Sequence, residues 1–88
     1  MKLTNIGMVI ARRELTLSRG RKAVVEIGKP RKFRGSPDYF CPFKIRGLGK
    51  VIISMAGGVD AIQALEFAFL RIGIDLYISR EAKSGQLS

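Results

Sequence analysis

The hydrophobic pattern of this chain changes its period once, at Gly57-Gly58, and that change limits the folds open to it. Before the two glycines, the chain has stretches in which apolar residues stand at every second position, which is the period of β-strands. After them, from Ala61 onward, apolar residues recur at the spacing of one helix face. A chain of 88 residues has room for one core. The pattern therefore predicts a single α+β domain over residues 1–88, with its helix at the C-terminal end.

The strands are predicted to form a four-stranded antiparallel sheet made of two hairpins, residues 8–17 with 22–27 and residues 39–48 with 50–55. The apolar parity of the first strand switches along its length, which predicts a bulge near Arg12-Arg13. Pro42 cannot donate a ladder hydrogen bond, so its strand is expected at an edge or with a bulge. Residues 28–38 are polar and are interrupted by Pro30, Gly35 and Pro37, which indicates an exposed connection between the hairpins.

The helical pattern begins after Asp60, whose carboxylate suits the N-terminal end of a helix dipole. Projection at 100° per residue places one set of side chains on the face predicted to pack on the sheet: Ala61, Ile62, Leu65, Ala68, Phe69, Ile72 and Leu76. Gly73 allows two interpretations: it ends the helix, or it is an interior glycine of a helix that continues to about Ile78. The second is favoured, although residues 74–78 also suit a short final strand, and a frayed tail is expected over 82–88.

A second apolar stripe on the same helix projects away from the predicted core. Its members are Phe67, Leu70, Ile74 and Ile78. Leaving several large apolar side chains in water is costly, and a two-fold contact would bury them. The stripe therefore predicts a homodimer, unless the helix ends at Gly73 and the stripe shrinks to its first two members.

Positive charge is concentrated in the N-terminal part of the chain. Residues 1–34 hold ten of the sixteen lysines and arginines, and ten minus two glutamates gives +8, whereas six minus five acidic residues gives +1 for residues 35–88. The predicted anion-binding residues lie on the first hairpin and the following loop: Arg12, Arg13, Arg19, Arg21, Lys22, Lys29, Arg31, Lys32 and Arg34. Aromatic residues stand among and just after them, at Phe33, Tyr39 and Phe40. Cations interleaved with aromatic residues predict nucleic-acid binding. The alternatives are an acidic protein partner, or solvated surface charges that bind no specific partner.

The composition points away from catalysis and toward binding. The chain has no histidine, which removes the commonest metal ligand and the usual general base. Cys41 alternates with apolar neighbours and is expected to be a reduced core residue of a cytoplasmic protein. The apolar run at residues 6–11 is too short for a membrane segment or a signal peptide. We therefore expect a non-enzymatic protein without a catalytic residue, a metal or a cofactor.

The glycine-rich C-terminal half also carries a resemblance. Its residues are Phe40-Cys41-Pro42-Phe43, Gly47-Leu48-Gly49, Gly57-Gly58-Val59-Asp60-Ala61, Gln63-Ala64-Leu65 and Asp75-Leu76-Tyr77. Over residues 40–77 the chain resembles a family of short bacterial proteins known as a domain of unknown function. The resemblance implies a bacterial source and a compact α+β domain, and it carries no catalytic residues.

Overall fold

The computed structural model describes residues 5–84, without the side chains of Ser18 and of residues 78–84. Its elements are β1 (Val9–Thr16), a 3-10 turn (Ser18–Gly20), β2 (Lys22–Gly28), β3 (Arg31–Lys32), β4 (Tyr39–Arg46), β5 (Ile52–Gly58) and α1 (Ala61–Ser84). The strands form one antiparallel sheet in which β4 pairs with β2 and β3 along one side and with β5 along the other. The predicted α+β architecture, two hairpins with a C-terminal helix packed on the sheet, is confirmed.

The bulge of β1 lies closer to the N-terminus than the sequence indicates. The register shifts between Val9 and Ala11, so the predicted position near Arg12-Arg13 is wrong. The alternation of apolar residues shows only that an extra residue lies somewhere between two stretches of regular alternation, and it does not give the exact position. Here Arg13 takes a helix-facing position opposite Val25, where the pattern expects an apolar residue.

Strand β4 is central, so the prediction that Pro42 marks an edge or a bulge is wrong. Pro42 pairs in register with Met55 of β5. On the other side of β4, pairing with β2 ends at Phe43 and pairing with β3 begins at Phe40. The interruption between β2 and β3 faces Pro42, so the missing N–H falls where the ladder is already broken.

The predicted connection 28–38 is partly regular structure. Strand β3 pairs with the start of β4, and a turn joins them. The backbone N–H of Phe33 donates to the carbonyl of Asp38 at 2.9 Å, and the Ser36 hydroxyl accepts the N–H of Asp38 at 3.1 Å. Two paired residues are too short to show a strand period, which is why the sequence indicates only a loop here.

The core lies between α1 and the strands β2 and β4. Its fully buried members include Ala23, Cys41, Phe43, Ile45, Ala64 and Ala68. The helix makes its contacts with β4 and β5, away from β1. Alanines on its inner face bring its backbone close to the sheet, as small residues at such contacts do.

The strand-to-helix junction depends on a close approach and a cap. Strand β5 runs through Gly57-Gly58 rather than ending before them, and a Cβ on Gly58 would lie 2.5 Å from the Ala64 nitrogen. Asp60 accepts the N–H of Gln63 through Oδ1 at 2.7 Å, while the Gln63 side chain accepts the N–H of Val59 at 2.8 Å. These are the reciprocal bonds of a capped helix start, so the glycines and Asp60 have structural roles.

Helix α1 is longer and lies differently from the prediction. It passes through Gly73 and ends at Ser84, so residues 74–78 are helical and do not form a strand. Of the tail predicted to be frayed, residues 82–84 are helical and 85–88 lie outside the described residues. Ile62 and Phe69, predicted to be core, are 72% and 54% exposed. Because the helix sits over β4 and β5, the side of the helix that faces β1 does not pack against these two strands. A projection of the helix alone cannot show this offset.

Candidate nucleic-acid interface

The sheet face opposite the helix gathers cations from four strands. Residues paired across an antiparallel sheet project to the same side. By this rule Arg12, Glu26 and Lys44 form one row on that side. We call this side the basic face and define it by its five cations: Arg12, Lys22, Arg31, Lys44 and Arg46.

Two glutamates stand among these cations and partly neutralise them. Glu26 lies 3.6 Å from the Arg46 guanidinium and 4.0 Å from that of Arg12. Glu14 lies 3.4 Å from the Lys22 ammonium and 4.0 Å from Arg12. Five cations against two carboxylates leave the basic face with an excess of three positive charges.

The nine predicted cations do not form one cluster. Arg12, Lys22 and Arg31 lie on the basic face, whereas Arg13 projects to the helix side. Arg19 and Arg21 are exposed at the tip of the first hairpin. The remaining three are exposed at the opposite end of β2, about 26 Å away at ~3.3 Å per residue of strand: Lys29, Lys32 and Arg34. The basic face connects these two end clusters.

Lys44 and Arg46 belong to the basic face but were absent from the predicted set. They lie in the part of the chain with almost no net charge, so a charge count does not single them out. Their signal was the alternation of β4. Phe43 and Ile45 point into the core, so the residues between them must project outward.

The aromatic side chains of this region are occupied by contacts within the chain. Phe33 and Phe40 stack with ring centroids 4.9 Å apart, and the Arg31 guanidinium carbon lies 5.1 Å from the Phe40 centroid. Phe40 is only 6% exposed. The Lys32 ammonium lies 5.8 Å from the Tyr39 ring centroid. These cation–π contacts fix the β3–β4 turn and leave little ring surface for stacking a base.

Cys41 lies in the core, as the sequence predicts. Its side chain is fully buried, and Sγ is 3.6 Å from the carbonyl oxygen of Gly28. Burial raises the pKa of the Cys41 thiol, because a thiolate loses its hydration there. Within residues 5–84, no three acidic or cysteine side chains come together as metal ligands.

The second helix stripe is exposed to solvent where it is described. Phe67, Leu70 and Ile74 are 44%, 62% and 52% exposed, and the side chain of Ile78 lies outside the described part. The helix is nevertheless too polar to cross a membrane: no described helix is both long and apolar enough to span one.

Comparison with known proteins gives a family whose function is unknown. No curated protein and no solved structure matches the chain. A domain family does match, over residues 11–88, which include β1 from Ala11 onward and all five cations of the basic face. The predicted resemblance covered residues 40–77, and the match extends it through the basic N-terminal half. The chain therefore belongs to the family described as a domain of unknown function, DUF6968.

Proposed function

We propose that this domain is a non-enzymatic binding protein that holds nucleic acid on its basic face through phosphate contacts. The observation that carries the proposal is the convergence of five cations from four strands on the one sheet face that has no helix over it. Clusters at both ends of β2 extend this surface. Lysine and arginine side chains that neutralise phosphates release counterions, which supplies affinity without sequence preference.

The ion pairs of the basic face are compatible with this role because they are easily exchanged. Lys22 and Glu14 are both at least half exposed, and pairs of that kind contribute ~0–1 kcal/mol. A phosphate can replace Glu14 as the partner of Lys22 at little cost. The glutamates would then limit affinity and keep binding reversible.

The contacts that the aromatic rings already make within the chain define the expected mode of binding. With Phe33 and Phe40 stacked on each other, base stacking contributes little and phosphate contacts dominate. We expect weak discrimination among bases and a steep dependence on salt.

The test is the affinity for a labelled single-stranded oligonucleotide, measured across salt concentrations. The variant replaces the five cations of the basic face with glutamine: Arg12, Lys22, Arg31, Lys44 and Arg46. With ~0.7 released counterions per phosphate contact, the slope of log affinity against log salt should flatten by up to about 3.5. Circular dichroism of the variant controls for folding. Unchanged affinity in the glutamine variant, or no binding by the wild type at ~50 mM salt, where such contacts are strongest, contradicts the proposal.

An acidic protein partner is the second candidate, favoured by the apolar side chains beside the cations. Met8, Val9 and Ile10 are large, apolar and exposed at the start of β1. Apolar residues next to cations suit a protein interface better than a phosphate backbone. Purified protein separates the two candidates: bound nucleic acid raises the ratio of nucleic-acid to protein absorbance, whereas a protein partner stays bound after nuclease treatment.

The non-enzymatic part of the proposal depends on the side chains available. The chain has no histidine, and its one thiol is buried with a raised pKa. A nucleophile needs the opposite surroundings, exposure and a lowered pKa. The reduced state of a single cysteine also fits a cytoplasmic location, which belongs to the same proposal.

A homodimer through the outer helix stripe is also part of the proposal. Phe67, Leu70 and Ile74 are exposed together, and each large apolar side chain contributes ~1.5–3 kcal/mol when fully covered. Two copies would bury both stripes at once. Sedimentation of the wild type and of Phe67→Glu/Leu70→Glu tests this. The wild type should sediment as a dimer at about 100 μM in 0.15 M salt, where a Kd near 1 μM is saturated, and the variant as a monomer. A monomeric wild type excludes the interface.

A further inference from the structure

A groove separates β1 from the helix on the side of the sheet opposite the basic face. It arises because α1 lies over β4 and β5, so the helix-facing side chains of β1 have no helix above them. Buried Val25 and Ile27 form its floor, and Phe69 and Leu76 stand along the helix wall. Its volume of about 560 Å³ lies within the ~300–1,000 Å³ typical of small-molecule sites. We call it the β1–α1 groove.

The residues that line the β1–α1 groove are mostly apolar, and the charged residues among them are all positive. Eight of its ten lining residues have no polar side-chain group, and the other two are Arg12 and Arg13. None of the described lining residues carries a carboxylate. An apolar surface edged only by cations is complementary to a molecule with an apolar body and an anionic head.

The two arginines differ in what already engages them. Arg12 lies 4.0 Å from Glu26 and 4.0 Å from Glu14 on the basic face. Arg13 pairs in register with Val25 on the helix side and has no ion-pair partner among the described side chains. Arg13 is therefore the residue placed to receive an anionic head group in the groove.

Gly73 is a second feature of the groove that a bound ligand would explain. It lies inside α1, where glycine disfavours the helix relative to alanine. It also lines the groove, and a Cβ built on it meets no atom within 4 Å. The packing of this chain does not require a glycine there, whereas a ligand lying close to the helix backbone would.

From these features we propose that the β1–α1 groove binds a small amphipathic carboxylate, with its apolar body along Phe69 and Gly73 and its head group on Arg13. This site is separate from the basic face and does not depend on nucleic-acid binding. The proposal commits to a free small molecule, so a groove that binds chains regardless of their head group would contradict it.

The test is a titration of the full-length protein with decanoate, followed by amide ¹H–¹⁵N spectra. Decanol and decylamine serve as controls with the same chain and a neutral or positive head. We expect saturable shifts around Arg13 and Gly73 with decanoate, and affinity at least about tenfold weaker for both controls, as for the loss of a charge-assisted hydrogen bond. Equal affinity for the three compounds, or shifts confined to other regions, overturns the proposal.

Two substitutions of Gly73 distinguish a loss of binding caused by filling the groove from a loss caused by disrupting the helix. Gly73→Leu places a side chain in the groove, and Gly73→Ala adds only a methyl group, while both favour the helix. Decanoate binding should fall at least about tenfold in Gly73→Leu and by a smaller factor in Gly73→Ala, since a leucine fills far more of the space beside the helix backbone than a methyl group does. Arg13→Gln should weaken decanoate but not decanol. Retained decanoate binding in Gly73→Leu, or equal losses for decanoate and decanol in Arg13→Gln, contradicts the assignment.

Discussion

Strands β1 and β4 have the same length of eight residues and opposite surroundings. Five residues of β4 are buried, and none of β1 is. Strand β4 has paired neighbours on both sides and the helix above it, whereas β1 pairs with β2 alone among the described strands. The difference shows that β4 holds the fold together, whereas β1 exposes side chains on both sides of the sheet, where the two proposed binding surfaces lie.

The sharpest contrast in stability is expected between Phe43 of β4 and Arg13 of β1. Phe43 is fully buried, so Phe43→Ala should lower the free energy of unfolding by about 3–5 kcal/mol. Arg13→Gln, at an exposed site, should change it by no more than about 0.5 kcal/mol. Urea unfolding measures both. Comparable losses in the two variants would mean that β1 is as much a part of the core as β4.

Cys41 tests whether β4 has only a structural role. Cys41→Ser buries a hydroxyl group without a full set of partners, so it should cost about 1–3 kcal/mol. Whatever binding the protein shows should be retained. Native Cys41 should react slowly with an alkylating reagent, and urea should restore rapid reaction. Fast modification of the native protein together with loss of binding would instead identify a functional thiol.

The raised pKa of Cys41 adds a pH dependence with a definite sign. The unfolded thiol ionises near its ordinary pKa of 9.0, before the buried one does. Above that pH the unfolded state binds fewer protons than the native state, so the free energy of unfolding should fall as pH rises. Below it the thiol is neutral in both states and contributes no pH dependence. Comparison of the wild type with Cys41→Ser isolates this component from those of lysine and tyrosine.

The features that the sequence could predict depend on residues close together in the chain, and those that it could not predict depend on how distant elements pack. The alternation of Cys41, Phe43 and Ile45 and the Asp60 cap depend on neighbours in the chain, and both were predictable. The offset of the helix, which exposes Phe69, depends on where α1 crosses the sheet. The meeting of Lys44 with Arg12 on the basic face depends on strand order. Neither of these can be obtained from a periodicity or a charge count.

Glu26 offers a smaller test of the basic face. Its carboxylate lies near the guanidinium groups of Arg12 and Arg46, so Glu26→Gln adds one net positive charge while keeping the shape. Stability should fall by at most about 1 kcal/mol. Affinity for an oligonucleotide should rise, and the slope of log affinity against log salt should steepen by the amount expected for about one additional phosphate contact. Unchanged affinity would mean that these ion pairs do not restrain binding.

The central claim is that the position of the positive charges, rather than their total, determines binding. Lys22→Gln/Arg31→Gln removes two exposed cations of the basic face, and Arg71→Glu lowers the net charge equally on the helix. Both variants are titrated with a single-stranded oligonucleotide of about 16 nucleotides, the upper site size for one small domain. The salt slope should flatten by about 1.4 in the double variant, at ~0.7 per lost contact, and stay at the wild-type value in Arg71→Glu. Equal slopes and affinities in the two variants would contradict a binding surface on the sheet.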